Sequence, residues 1–315
     1  MGDASRIEGG FGPFLVIGAT GRQGGATARA LRRRGAKVRA FVRNPDDPAA
    51  RALAGNGAEV AVGDLDDVGS LIAAMVGVSG VFSVQNWWQT GAKREVRQGK
   101  NVADAAKGAR VPHLLYSSVG GADRGADITH WKTKWEIEQH IRELGLPATI
   151  LRPVTFMETY YAPAVEKGIL GGKLVDPIAS DKRVQLIATD DIGEWAALAL
   201  THPRRFVGKA LEIAGDELTN PQIAAAFARV LQRPVRYQRL PLFVTRLVLG
   251  KEFHQMFRWF NEQGYRADLP LLHREYPEVE PTSLEAWLAR EGWGNKGTSY
   301  APHAKTFIAK IPREG

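Results

Sequence analysis

The 315-residue sequence predicts an α/β protein, a doubly wound parallel sheet followed by a smaller, mostly helical C-terminal domain. Three observations carry that reading. Short apolar, β-rich runs alternate with longer helical patterns through the first half. A Gly-x-x-Gly-x-x-Gly turn stands between the first such run and the first helix. After about residue 155 the alternation gives way to helical patterns separated by Pro- and Gly-bearing stretches.

The elements follow in order. Phe14–Ile17 is a short buried-type strand, and a helix runs from about Gln23 to Arg34. Lys37–Val42 is the second strand. Asn44, Pro45 and Pro48 then break the chain before a short helix that ends near Gly55. Glu59–Val62 is the third strand, and Leu71–Met75 lies in the next helix. Gly80–Ser83 is the fourth strand, Glu95–Ala109 a long helix and His113–Ser117 the fifth strand. Lys132–Leu144 is an amphipathic helix stopped by Gly145 and Pro147, and Ala148–Leu151 is the sixth strand. Strands joined through helices imply right-handed crossovers and a sheet covered on both faces. Further helices are expected at Asp190–Leu200, Pro221–Leu231 and Phe243–Phe260. The expected organisation is a flexible tail over 1–13, a nucleotide-binding domain over 14–155 to whose sheet later segments can return, and a smaller substrate or partner domain over 156–315.

The glycine turn is the sharpest local signal. In Gly18-Ala19-Thr20-Gly21-Arg22-Gln23-Gly24-Gly25, Gly18 allows the tight turn and Gly21 lets backbone approach a pyrophosphate. Gly24 allows close packing of helix on strand. The helix start then offers unpaired N–H groups and the positive end of its dipole to the phosphates. This strand–turn–helix context makes the sheet Rossmann-type. The second strand selects the cofactor. An acidic residue at its tip would grip the 2′-hydroxyl of NAD, but the tip reads Ala40-Phe41-Val42-Arg43-Asn44-Pro45. Arg43, and Arg22 within the turn, can instead receive a 2′-phosphate through the planar guanidinium fork. The expected cofactor is NADP(H).

Composition excludes several classes. With no cysteine there is no disulfide framework, thiolate zinc site, iron–sulfur cluster or cysteine nucleophile. The seven His residues form no His-Glu-x-x-His pattern, so no metal is expected, and hydrolase elbows and Walker loops are absent. No apolar run approaches the ~20 residues of a membrane helix, and the first 13 residues lack a basic and apolar leader pattern. A cytoplasmic protein is expected. Five of the eight excess positive charges fall within residues 1–50. Arg32, Arg33 and Arg34 are read as closing a helix, where cations suit the dipole. No zinc-finger or RNP motif accompanies the charge, which argues against direct nucleic-acid binding.

The pattern resembles the NmrA-like family of atypical short-chain dehydrogenase/reductase relatives, especially the branch of the human NADPH-sensing NmrA-like protein. The likeness runs from about residue 14 to about 293. It rests on the glycine turn, Val42-Arg43-Asn44-Pro45, Gly57-Ala58-Glu59-Val60 and Gly63-Asp64-Leu65-Asp66-Asp67. It continues through Val84-Gln85-Asn86-Trp87-Trp88, Glu95-Val96-Arg97-Gln98-Gly99-Lys100, and His130 with Lys134, Glu136 and Glu138. Leu151-Arg152-Pro153 and Phe156-Met157-Glu158 complete it. The resemblance implies NADP(H) in a cleft between a Rossmann domain and a small C-terminal domain. By that likeness Gly18, Thr20, Gly21, Arg22, Gln23 and Gly24 hold the pyrophosphate, and Arg43 faces the adenosine phosphate. Asp64 and Leu65 flank the adenine, while Gln85 and Asn86 lie along the cofactor. Lys134 reaches the nicotinamide ribose, and Pro153 and Phe156 close over the nicotinamide end. Lys100 belongs to the same implied set.

Standard short-chain dehydrogenases use a Ser, a Tyr and a Lys four residues after the Tyr. Ser117 and Ser118 end the fifth strand where that Ser is expected. At the Tyr-x-x-x-Lys position the sequence reads His130-Trp131-Lys132-Thr133-Lys134, so His replaces Tyr and the Lys remains. His can serve as a general acid near neutral pH; otherwise His130 caps or packs at the start of its helix. Trp87, Trp88, Trp131 and Trp135 can line a pocket for a flat substrate or serve as packing. Two functions stand. One is an NADPH-dependent reductase of a quinone, carbonyl or similar conjugated, small aromatic molecule. The other is a non-catalytic NADPH/NADP redox sensor that regulates a protein partner through its shape or its self-association into an oligomer.

Overall fold

The computed structural model describes residues 12–125 and 127–295, so the tail expected over 1–13 lies almost wholly outside the described residues. The first half alternates as expected. Its strands are β1 (Phe14–Ile17), β2 (Val38–Val42), β3 (Glu59–Val62), β4 (Gly80–Ser83), β5 (Leu114–Ser117) and β6 (Ala148–Pro153). Between them run α1 (Arg22–Arg33), α2 (Pro48–Gly55), α3 (Val68–Met75), α4 (Trp87–Gly108) and α5 (Thr129–Glu143).

All pairings in the main sheet are parallel. Strand β1 lies between β4 and β2, the arrangement that opens a crevice at the carboxyl ends of the strands. Successive side chains on a strand face opposite ways, and β1 shows it. Phe14 and Val16 join one core, with Leu31, Ile192 and Trp195. Leu15 and Ile17 join the other, with Leu71, Val102 and Ile137.

After β6 the chain forms β7 (Thr155–Phe156), a 3₁₀ turn (Met157–Tyr161), α6 (Pro163–Leu170), β8 (Lys173–Asp176) and β9 (Arg183–Ile187). It continues through α7 (Thr189–Thr201), α8 (Pro203–Phe206), β10 (Ala210–Ile213), β11 (Asp216–Thr219), α9 (Asn220–Leu231) and β12 (Arg236–Arg239). The helices α10 (Leu242–Val248), α11 (Gly250–Glu262), α12 (Leu269–Glu275) and α13 (Leu284–Arg290) close it. This region is largely helical around its own core of Tyr160, Tyr161, Phe227, Trp287 and Trp293. It also holds small sheets, β11-β9-β7 and β12-β8, that the helical patterns do not reveal.

Two later elements return to the first half. Strand β10 pairs in parallel with β6 and makes the seventh strand of the main sheet. Helix α7 lies along α1 at very short range, since a Cβ on Gly193 would meet the Ala26 backbone at 2.5 Å. Ion pairs from Arg29 to Asp190 (2.7 Å) and from Arg33 and Arg34 to Glu194 (2.6 and 3.1 Å) line the contact. The basic run is therefore more than a helix end, because two of its three arginines staple α1 to α7.

Three helix boundaries differ from the sequence expectation. Helix α4 starts at Trp87 rather than Glu95, because Asn86 caps Trp88 N–H, and it kinks at Gly91, whose φ is +73°. Helix α5 starts three residues earlier than Lys132. The expected Phe243–Phe260 helix is broken after Leu249, where Gly250 takes φ +86°.

Candidate functional site

The crevice is built from the first βα turn outward. Gly18 has φ +70°, and its carbonyl accepts from Gly21 N at 2.8 Å. A Cβ on Gly24 would lie 2.2 Å from that same carbonyl oxygen, so only glycine fits there. Helix α1 begins without a side-chain cap and without an acidic residue in its first turn. Its first N–H groups are therefore left for an anion, which suits a pyrophosphate. Thr20 and Gly21 are exposed at the turn, while Arg22 and Gln23 are half-buried beneath it.

The second strand ends beside this turn, because Ile17 is in register with Phe41. Arg43 follows, exposed and without an ion pair or hydrogen bond among the described residues. Its neighbours Arg39 and Arg51 are paired, with Glu59 and Asp46. A guanidinium left unpaired at this tip suits a 2′-phosphate. Val42 is in register with Val62, which carries Asp64 and Leu65 to the same level. Asp64 Oδ1 accepts from Asp66 N, and the Leu65 carbonyl accepts from Asn101 Nδ2. Asp66 anchors this corner to α4 through Arg94 (2.7 Å) and Arg97 (2.9 Å). Burial opposes its charge, but the hydrogen bonds of Arg97, Gln98 and Arg94 hold its carboxyl below the usual range.

The fourth strand leads to Gln85, which is buried. Its amide nitrogen donates to Ser83 Oγ, and its Oε1 has no partner. The Gln85 backbone carbonyl accepts from Lys134 Nζ at 2.8 Å. Lys134 also pairs with Glu95 at 2.7 Å, and that carboxylate is fully buried. Thr133 Oγ1 donates to its other oxygen. An ammonium has three N–H donors, and these two contacts leave at least one of them over.

Helix α5 carries His130, Lys134 and Glu138 at four-residue spacing, one above another on the same face. The His130 Nδ1 lies 2.6 Å from Glu252 Oε1 on α11. Its ring stands 5.6 Å from both Trp87 and Trp88. Phe253 stacks on Trp88, so the start of α11 closes this corner. His130 is thus in the first turn of α5 but does not cap it; Glu252 does, accepting from Thr129 N and His130 N.

The other candidates disperse. Ser117 Oγ donates to Gln23 Oε1 at 2.6 Å, which ties β5 to the glycine turn. Ser118 Oγ donates to buried Glu138, in a network that runs through Arg152 to the exposed Asp123. Lys100 makes an exposed ion pair with Glu136. Pro153 is buried at the end of β6, and Phe156 is half-buried on β7. The four tryptophans do not share one pocket. Trp87 and Trp88 flank His130, Trp131 stands edge-on to it at 6.0 Å and packs on Trp259, and Trp135 lies apart under Arg142 and Arg152. Tyr116 does not stand in for the missing tyrosine, since it is fully buried and burial pushes its hydroxyl far up.

Sequence reasoning gave no role to Glu95, Glu158 or Glu252. Glu95 and Glu158 fall within the segments that carry the family likeness. Glu158 Oε1 accepts from Thr189 N and Oγ1 while burial raises its carboxyl. Glu252 carries no local signal at all. Among the described residues no cluster of three or more metal-ligating side chains occurs, and no helix is long and apolar enough to cross a membrane.

Comparison with known proteins gives the family and the fold. The NmrA-like family oxidoreductase FrzB of Cladobotryum sp is 31% identical over 256 residues, covering 71% of this chain and 75% of its own. The NAD(P)H azoreductase of Xenophilus azovorans is 32% identical over 232 residues, covering 73% and 77%. The NADPH-dependent quinone oxidoreductase of Escherichia coli, solved as its NADPH complex, superposes with a TM-score of 0.76. It is 25% identical, and the match covers 88% of this chain and 99% of that one. The model of the NmrA-like family itself matches residues 13–288. With a family model matched over most of its length and relatives above 30% identity, the chain belongs to the NmrA-like family.

Proposed function

We propose that the chain is an NADPH-dependent reductase of a small conjugated acceptor, a quinone or carbonyl compound. The observation that carries the reading is the pairing of His130 and Lys134 on one face of α5, with Lys134 held by the Gln85 carbonyl and Glu95. When bound, the reduced nicotinamide supplies the hydride, and the protein supplies binding, orientation and a proton.

In this reading Gly18, Thr20, Gly21, Arg22, Gln23 and Gly24 hold the pyrophosphate, and Arg43 grips the 2′-phosphate. Asp64 and Leu65 border the adenine, while Gln85 and Asn86 line the path to the nicotinamide. Lys134 gives its remaining N–H to the ribose. Ser117 keeps Gln23 in place, and Pro153 and Phe156 close the far end. His130 protonates the acceptor oxygen, with Trp87 and Trp88 offering flat faces to a conjugated ring. Ser118 and Lys100 take supporting places in their networks.

The relatives named above support a reductase, since two of them are oxidoreductases by name and one is an azoreductase. The alternative, a non-catalytic NADPH/NADP sensor of the human NmrA-like type, rests on the replacement of Tyr by His130.

The test is NADPH consumption by the purified protein across a panel of quinones, aldehydes and azo and triarylmethane dyes. Turnover reduced by about 10²-fold or more in both His130→Ala and Lys134→Ala is the expected result. Arg43→Ala should weaken NADPH binding far more than NADH binding. NADPH bound without turnover on any acceptor would remove the reductase reading in favour of the sensor.

A further inference from the structure

We propose that Glu252 is a positioning residue for His130: its carboxylate fixes the ring and its tautomer and stabilises the doubly protonated imidazolium that donates from Nε2. The inference rests on the reading of His130 as the proton donor. It concerns a side chain that lies 122 residues away in the chain, on another part of the molecule.

The geometry is that of a carboxylate–histidine pair. Glu252 Oε1 accepts from the ring Nδ1 at 2.6 Å and from His130 N at 3.0 Å, and Oε2 accepts from Thr129 N at 3.1 Å. Three donors aimed at one carboxylate leave it little freedom to move. Capping alone would require only the two backbone bonds. The ring bond adds a constraint, because an Nδ1–H held by a carboxylate leaves Nε2 as the nitrogen that gains and loses the proton. The ring's bond to Glu252 is made through Nδ1. The ring is only 14% exposed, so the pair is partly shielded from water.

Burial by itself would raise the Glu252 carboxyl, but the hydrogen bonds from His130 and Thr129 outweigh it and bring the group to about 2. Glu252 is therefore anionic wherever an imidazole titrates. The other charged groups around the pair are compensated. Lys134 is matched by Glu95 one turn along α5, Asp127 lies 3.6 Å from Arg258, and Lys251 is exposed. Trp87 and Trp88 flank the ring and carry no charge.

The step balances simply. A bound reduced nicotinamide would supply the hydride, and the acceptor oxygen takes its proton from Nε2. The Nε2–H bond breaks with its electron pair left on the ring, and an O–H bond forms. The ring is left as the neutral Nδ1–H tautomer, still bonded to Glu252, and it regains a proton from water.

The experiment uses the full chain with ¹⁵N-labelled histidine, followed by NMR through a pH titration, with His130→Asn to assign the signal. Glu252→Gln keeps the shape and removes the charge, and Glu252→Asp keeps the charge. In Glu252→Gln, the ¹⁵N ring signals of His130 should move away from those of the parent, and the alkaline limb of kcat/KM should move down by about one pH unit, with NADPH affinity unchanged. Glu252→Asp should restore most of both. Ring signals that stay in place in Glu252→Gln overturn the inference, as does a loss of turnover without movement of the alkaline limb. Moved ring signals in a protein without turnover on any acceptor overturn the reductase reading and, with it, the catalytic role of Glu252, leaving only a coupled pair.

Discussion

Two glutamates are buried completely, Glu138 on α5 and Glu95 on α4 facing it, and they are held in opposite ways. Glu138 meets the planar fork of Arg152 with both oxygens, at 3.0 and 2.8 Å, and also accepts from Ser118 and Arg142. The other arm of Arg152 reaches Asp123 at 2.8 Å. Every strong acceptor position there is answered by the protein. Glu95 meets a single ammonium and one hydroxyl, and the ammonium keeps a donor in reserve. A closed network of this kind fixes α5 against β6. An incomplete one keeps hydrogen-bonding capacity, which the reductase reading gives to the cofactor. Burial and charge are the same in both cases; what separates structure from site is whether the hydrogen-bonding capacity is used up.

The largest expected break in this comparison is Arg152→Ala. It leaves Glu138 buried without its fork, and urea unfolding should show a loss of about 3–5 kcal/mol. Arg152→Lys should recover only part, since a point charge cannot bind both oxygens in the same plane. Glu95→Gln is the milder counterpart. It keeps a group that can accept from Thr133 but removes the charge opposite Lys134, and about 1–3 kcal/mol of stability should go. In the reductase reading NADPH affinity falls with it, measured by fluorescence, whereas Arg152→Lys should leave affinity alone once folded.

An effect confined to a window of pH sharpens the comparison from a third side. Asp176 accepts only from neutral donors, Ile178 N and Asn220 Nδ2, and burial pushes its carboxyl up to about 6. The fold therefore binds this proton more tightly than the unfolded chain does. The stabilisation is complete below the ordinary Asp value of 3.8 and is lost as pH rises through about 6. Stability of the parent relative to Asp176→Asn should fall between pH 4 and 7 and stay level above that range, read from urea midpoints. A flat difference would mean that Asp176 is ionised throughout.

The parts of the molecule legible in the sequence are those whose cause is local. The glycine turn dictates its own conformation, and Arg43 follows a strand whose register brings it beside that turn. The His130–Lys134 spacing sets a common helix face. Spacing does not say what stands opposite that face. Trp131 and Trp135 are one turn apart yet meet Trp259 and two arginines respectively, because each leans onto a different neighbour. Glu252 left no trace, since its partners Thr129 and His130 lie more than a hundred residues upstream. The break after Leu249 was hidden because apolar residues continue at helical spacing through Gly250. Strands β8, β9, β11 and β12 are no shorter than β1 or β4, but Lys173, Asp176, Arg183, Gln185, Asp216, Glu217, Arg236 and Arg239 leave them without an apolar run to mark them.

The return of β10 to the main sheet sets a timetable for a chain made from its N-terminus. When residue 155 leaves the ribosome, all the glycines of the turn are in place, yet β6 is still an open edge and α1 still lacks α7. Ala26 and its neighbours wait for Gly193, and β6 waits for Ala210–Ile213. Exposed strand edges and uncovered apolar faces are where nascent chains go astray. The half of the protein that is synthesised first is thus completed only by the half that is synthesised last.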